Sequence, residues 1–142
     1  MPDQPDHVID QTLDMELVLP PGERLAVPTL LHYSVQDPFA AVFVFCTGAD
    51  REVRWALDRD MLAKGLRRPV GRGDVRLRPT GSGPGTELSL TLCSPHGRAR
   101  LAAPLRVIAQ WLGRTYALVP SGQEAEGLDV DAELSRLLHG AA

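Results

Sequence analysis

Long apolar runs are missing from this 142-residue chain. No stretch approaches the roughly 20 residues needed to span a bilayer, so no membrane insertion is expected. The first residues, Met1-Pro2-Asp3-Gln4-Pro5-Asp6, are acidic and polar, the reverse of a secretory leader's basic-then-apolar order, and a cytoplasmic location is expected. Cysteine is scarce. Cys46 and Cys93 each sit inside an apolar strand-like run, without the short spacing of a metal knuckle or a redox pair. They are expected to be free, buried small hydrophobes, since a reducing compartment disfavours a disulfide. Lysine is nearly absent, Lys64 standing against fourteen arginines, in a composition that suits a GC-rich genome.

Residues in the spacing of a reaction centre are also missing. His7, His32, His96 and His139 fall in a terminus, a strand, a turn and a tail, so the paired-histidine zinc spacing on one helix face is absent. Gly71-Arg72-Gly73-Asp74 superficially suggests a phosphate loop. Such a loop follows a strand and opens a helix, so that backbone N–H groups meet the anion; here it follows a helix and opens a strand. Asp58 and Asp60 are explained by the favourable placement of negative charge at a helix start, worth about 0.3–1 kcal/mol. No catalytic residue, metal ligand or cofactor site is therefore expected, and the chain is read as non-enzymatic.

What is present is a regular alternation of strands and turns. Apolar and polar residues alternate from His7 to Leu19, with a slip near Gln11 that suggests a bulge. Arg24 to Val35 reads as a second strand, which Pro28 restricts to an edge or an irregular start. Phe39 to Thr47 is nearly all apolar, as in a strand covered on both faces. Glu52 to Leu57 returns with Val53, Trp55 and Leu57 facing one way. Asp58 then caps a short helix carrying Met61, Leu62 and Leu66. Strands follow over Asp74–Arg78, Glu87–Cys93 and Arg98–Ala102. Pro104 opens a helix with Leu105, Ile108, Ala109, Leu112 and Tyr116 in one stripe and Trp111 beside it. A final helix is expected from Asp129 or Asp131, carrying Leu134, Leu137 and Leu138. The fold class is α+β, with about seven largely antiparallel strands and two to three helices in one domain, 1–142.

Charge is distributed unevenly. Residues 1–50 carry eight acids and one base, 51–120 thirteen bases and five acids, and 121–142 five acids and one base. The basic middle either meets an acidic partner or, as the favoured reading, pairs with the acidic ends of the same fold. Arg67, Arg68, Arg72 and Arg76, followed by Arg78, are the candidate partner-binding face. They also motivate an alternative function, single-stranded nucleic-acid binding. A single-strand binder usually adds aromatic stacking platforms to a basic groove. Only seven aromatics are available here, and most sit where core patterns already claim them.

Val53-Arg54-Trp55-Ala56-Leu57-Asp58-Arg59-Asp60-Met61-Leu62-Ala63-Lys64-Gly65-Leu66, continuing through Pro69-Val70-Gly71-Arg72-Gly73-Asp74-Val75-Arg76, resembles the signature of the SsgA-like proteins, sporulation and cell-division proteins of actinomycetes. Leu31-His32-Tyr33, Asp37-Pro38-Phe39-Ala40, Ser94-Pro95-His96-Gly97 and Val119-Pro120-Ser121-Gly122-Gln123-Glu124 extend the match, in order, over nearly the whole chain. The resemblance implies a whirly-like, trimer-forming fold related in shape to single-strand nucleic-acid binders. It further implies a non-catalytic factor at the division septum that controls septum-site selection during sporulation. The closest role within the family is recruitment of the tubulin-like division protein FtsZ, so FtsZ, other family members and further copies of this chain are the expected partners.

Overall fold

Eight strands and two α-helices make up residues 7–127, which are those described by the computed structural model. The strands are β1 (Val8–Leu19), β2 (Glu23–Ser34), β3 (Ala40–Gly48), β4 (Arg51–Asp58), β5 (Val70–Arg72), β6 (Val75–Thr80), β7 (Glu87–Ser94) and β8 (Gly97–Pro104). Helix α1 (Arg59–Gly65) follows β4, and α2 (Leu105–Leu118) follows β8. All pairings are antiparallel, and the sheet order is β4-β3-β2-β1-β8-β7-β6-β5. The chain thus runs twice through four consecutive strands and a helix. Within the sheet, the two four-strand runs pair only where Glu16 and Leu17 of β1 oppose Ala102 and Leu101 of β8.

Period-two alternation gives the sheet one apolar face, and both helices bury part of it. Met15, Leu31, Phe43, Leu57, Leu77, Leu88, Leu90 and Ala103 join Leu62 of α1 and Ile108, Trp111 and Leu112 of α2 in one core. Fully burying a side chain of this size contributes about 1.5–3 kcal/mol, so the core and not helix propensity holds the seven-residue α1 in place. Trp111 is 1% exposed, and its indole N–H donates to the Ile9 carbonyl at 3.0 Å. The helix therefore buries Ile108, Trp111, Leu112 and Thr115, a stripe rotated from the expected one: Trp111 takes its centre, while Leu105 and Ala109 are half-buried.

Several sequence expectations need correction. The strand count is eight, because Val70–Arg72 pairs with β6; three residues interrupted by glycine carry no readable period. Gly73, at φ 58°, takes the first central position of the two-residue turn into β6. The slip at Gln11 is no bulge, for β1 and β2 pair without interruption from Val8↔Ser34 to Leu19↔Glu23. Gln11 is simply a polar residue on the apolar face, where its side-chain oxygen accepts a bond from Arg114 of α2 at 3.0 Å. An irregularity lies instead between Cys46 and Gly48. Pro28 sits in an interior strand, but the β2–β3 ladder begins only at Thr29, so its missing N–H leaves no break on that side. Asp58 occupies the N-cap position without a side-chain cap bond; the Arg59 N–H donates to the Phe39 carbonyl at 2.8 Å. Both cysteines are free, as expected, yet only half-buried. The helix expected from Asp129 or Asp131 lies outside the described residues.

Gly65 ends α1 against β6, and a Cβ there would lie 2.7 Å from the Leu77 Cβ. Helix propensity alone would favour Gly65→Ala by about 1 kcal/mol, whereas overpacking costs about 1–3 kcal/mol. The buried contact decides the sign. Gly65→Ala is expected to lower the urea midpoint with little change in its slope.

Candidate interaction site

One end of the fold is locked and the other is open. At the locked end Arg59, the first residue of α1, is 1% exposed. Its Nη1 donates to the Thr115 carbonyl at 3.1 Å and the Thr115 hydroxyl at 3.4 Å, and its Nη2 donates to Glu124 Oε2 at 2.8 Å. The guanidinium lies 4.0 Å from the ring centre of Tyr116 and 4.9 Å from that of Tyr33. Tyr33 donates its hydroxyl to the Pro38 carbonyl at 2.9 Å, and the Tyr116 hydroxyl reaches the Arg59 carbonyl at 3.4 Å. One charge thus joins β2, α1, α2 and the turn after α2. Its Nε alone has no partner.

The Arg59 guanidinium holds the Glu124 carboxyl below its ordinary range, helped by the Gly122 N–H that donates to Glu124 Oε1 at 2.9 Å. Burial pushes the Tyr33 and Tyr116 phenols up, and the Arg59 charge partly opposes that. These bonds engage both Nη groups of Arg59 and both oxygens of Glu124, and they tie separate elements together. Nothing local in Asp58-Arg59-Asp60 marks the middle residue for burial; its partners lie 56 and 65 positions away.

At the open end the apolar face continues beyond the helices. Leu17, Val27, Phe45, Val53, Trp55 and Leu101 line a groove of about 440 Å³. Its described lining comes from strands and the β7–β8 turn, with no helix residue among them. Val53 is 43% exposed, and Leu25, directly opposite Leu17 in the ladder, is 52% exposed. Contiguous apolar residues that a fold leaves open to water are the usual mark of a contact surface.

The four arginines singled out in the sequence do not share a face. Arg67 and Arg68, just past α1, line a shallow recess with Asp60, Lys64, Tyr116 and Ser121. Arg72 is registered with Val75, on the helix side of the sheet, whereas Arg76 lies on the reverse side above Gly71. Among the described residues no three His, Cys, Asp or Glu side chains gather in a group that could hold a metal ion. His32 meets a single carboxylate, Asp10, at 2.7 Å. No described helix is long and apolar enough to cross a membrane.

Residues 27–124 match the family described as Streptomyces sporulation and cell division protein, SsgA. The chain belongs to the SsgA family. Similar relatives include the sporulation-specific cell division protein SsgB of Streptomyces coelicolor, 44% identical over 126 residues that cover 89% of this chain and 92% of that one. The SsgB of Thermobifida fusca is 38% identical over 124 residues, covering 87% of this chain and 90% of the relative. Two solved structures of SsgA-family proteins superpose on the fold. One, described with mutations in SsgB that correlate to longitudinal cell division during sporulation of Streptomyces coelicolor, has a TM-score of 0.81 at 40% identity over 85% of this chain and 95% of that one. The other, an SsgA-like sporulation-specific cell division protein from Thermobifida fusca, has a TM-score of 0.82 at 36% identity over 91% and 94%. The SsgA-family signature stretch read from the sequence, Val53 to Arg76, runs from the rim of the open groove through Arg59 and α1 to the reverse face. Within the family, the SsgB type is the one these relatives support.

Two consequences follow for the locked end. Removing one partner of a buried ion pair strands the other and costs about 3–5 kcal/mol; Arg59→Met is expected near the lower end, because the Glu124 side chain retains 12% exposure. Thermal or urea unfolding measures this. Because the folded Glu124 carboxyl lies below its ordinary 4.5, its stabilisation is fully present above that value and is lost as pH falls through the depressed one. Glu124→Gln is expected to remove that part of the acid-induced loss, read from urea midpoints along an acid titration.

Proposed function

We propose that this chain is a sporulation-specific cell-division factor that acts by contact, selecting septum sites by recruiting or positioning FtsZ. The names of its relatives supply the cell-division role in sporulation. The observation that carries a contact mechanism is the open apolar groove, where Val53 and Trp55 stand on the edge strand β4. A protein segment seated there removes water from side chains that the helices leave uncovered, and such apolar anchors dominate interface energetics.

Self-association belongs to the same proposal, with a trimer as the working unit and the division septum as its location. The edges of the sheet limit uncontrolled pairing: β5 has three residues, and β4 carries Arg51, Glu52 and Arg54. The four arginines fit one contact surface less well than the groove does, since they lie in three separate places. Single-stranded nucleic-acid binding is the weaker reading. Tyr33, Phe43, Phe45 and Trp111 are all buried, so they offer no stacking platform.

Co-sedimentation with polymerising FtsZ tests the proposal, with light scattering to report the oligomer. Val53→Glu puts a charge on the groove rim at a site whose exposure keeps the stability change within about 0.5 kcal/mol. It is expected to weaken FtsZ binding about tenfold or more, equivalent to ~1.4 kcal/mol. Equal pelleting of the folded variant and the parent chain, or no pelleting of either at micromolar concentration, contradicts direct recruitment through the groove.

A further inference from the structure

The reverse face of the sheet, turned away from both helices, carries a second surface. Strand pairing places Arg76, Thr91 and Arg100 in one row across β6, β7 and β8, with Arg78 opposite Ser89 in the row to one side and Arg98 opposite Cys93 in the row to the other. Arg76 and Arg100 therefore face each other across Thr91, while Arg78 and Arg98 stand at diagonal corners, over a floor of small side chains on β7. Strand spacing sets the walls about 10 Å apart, and alternate residues set the arginines of each wall about 6.8 Å apart.

Local packing holds this trough open. A Cβ on Gly71 would overlap the Arg76 side chain, so glycine at that position makes room for the arginine to lie over β5. Ser89, 3% exposed, accepts a bond from Arg100 Nε at 3.3 Å. A recess of about 200 Å³ is lined by Arg76, Arg78, Ser89, Thr91 and Arg100, and Arg100 and Thr91 also border the larger depression of about 700 Å³ beside Arg98. Among the described residues no acid pairs with any of these four arginines. Glu16 and Glu87 are engaged by Arg24, at 3.0 and 2.8 Å, and they push its guanidinium pKa further up.

We propose that this trough binds an extended acidic peptide segment of a partner protein, with carboxylates at alternating positions meeting the paired arginines. Charge complementarity requires an anion, and the guanidinium fork matches carboxylates in a two-bonded geometry. The spacing favours a β-extended chain, whose side chains on one face repeat at the same ~6.8 Å as Arg76 with Arg78 and Arg98 with Arg100. A nucleic-acid strand fits less well, because the floor is Ser89, Thr91 and Cys93 and neither wall strand places an aromatic residue beside them. The trough lies on the opposite face of the sheet from the apolar residues of the groove, Arg98 alone of the four arginines bordering both, and it stands whichever protein occupies that groove.

Fluorescence anisotropy tests the inference on the full chain with three probes of equal length. These are a peptide alternating glutamate with serine, the same composition with its glutamates in one block, and an oligothymidylate. The alternating peptide is expected to bind tightest and to weaken with added salt. R76Q/R78Q and R98Q/R100Q are each expected to weaken it about tenfold or more, while R67Q/R68Q leaves it unchanged. Amide shifts on the unmutated chain give a readout independent of variant folding, and they are expected to concentrate in 76–78, 89–93 and 98–100. No peptide binding, equal binding of alternating and blocked peptides, tighter binding of the oligothymidylate, or shifts centred elsewhere would overturn the proposal.

Discussion

A single buried guanidinium sets the terms on which this fold closes. Arg59 is the first residue of α1, yet its bonds go to Thr115 of α2 and to Glu124 beyond it. A buried charge is tolerated only where it is paired and hydrogen-bonded. Here those partners come from different parts of the chain, so the desolvation requirement is also a registration requirement. The two four-strand runs share only a two-residue seam between β1 and β8, which gives such cross-links unusual leverage. Arg24 makes a second, exposed one by reaching Glu16 and Glu87 together.

Closing one end leaves the other free. The helices pack near Ile9, Tyr33, Leu77 and Val70, and no helix residue lines the groove that holds Val27 and Val53. The apolar face of the sheet is continuous, so helix placement alone divides core from groove. The reverse face repeats the division in charge: Arg24 neutralises its nearby carboxylates, while four arginines on β6 and β8 keep their full field. A molecule with no gathered reactive side chains among its described residues thus offers two chemically different surfaces, one apolar and one cationic.

Most of the strand plan was legible in the sequence, because burial of one face imposes alternation that any half-buried strand must show. Val53, Trp55 and Leu57 facing together is an example, borne out by their pairing with Phe45, Phe43 and Ala41. What failed was the short and the non-local. β5 is too brief to show a period, and Gln11 broke the pattern only because its partner, Arg114, lies a hundred residues away. Arg72 and Arg76 looked like neighbours in one cluster, but a tight turn and strand alternation send them to opposite faces. The arginines that do assemble, Arg76 and Arg78 with Arg98 and Arg100, needed the register across β7 to be known. Membership of the SsgA family, by contrast, was readable at once, since its signature residues are contiguous and ordered.

Contact through the open end of the sheet is the claim on which the functional account stands. Hydrogen exchange of the chain, alone and bound to FtsZ polymers, tests it most directly. Slowed exchange concentrated in amides 24–27, 45–47 and 52–55 is the predicted result. Protection confined to α1, α2 and the turn around Glu124, with the open end exchanging as freely as in the unbound chain, would contradict it.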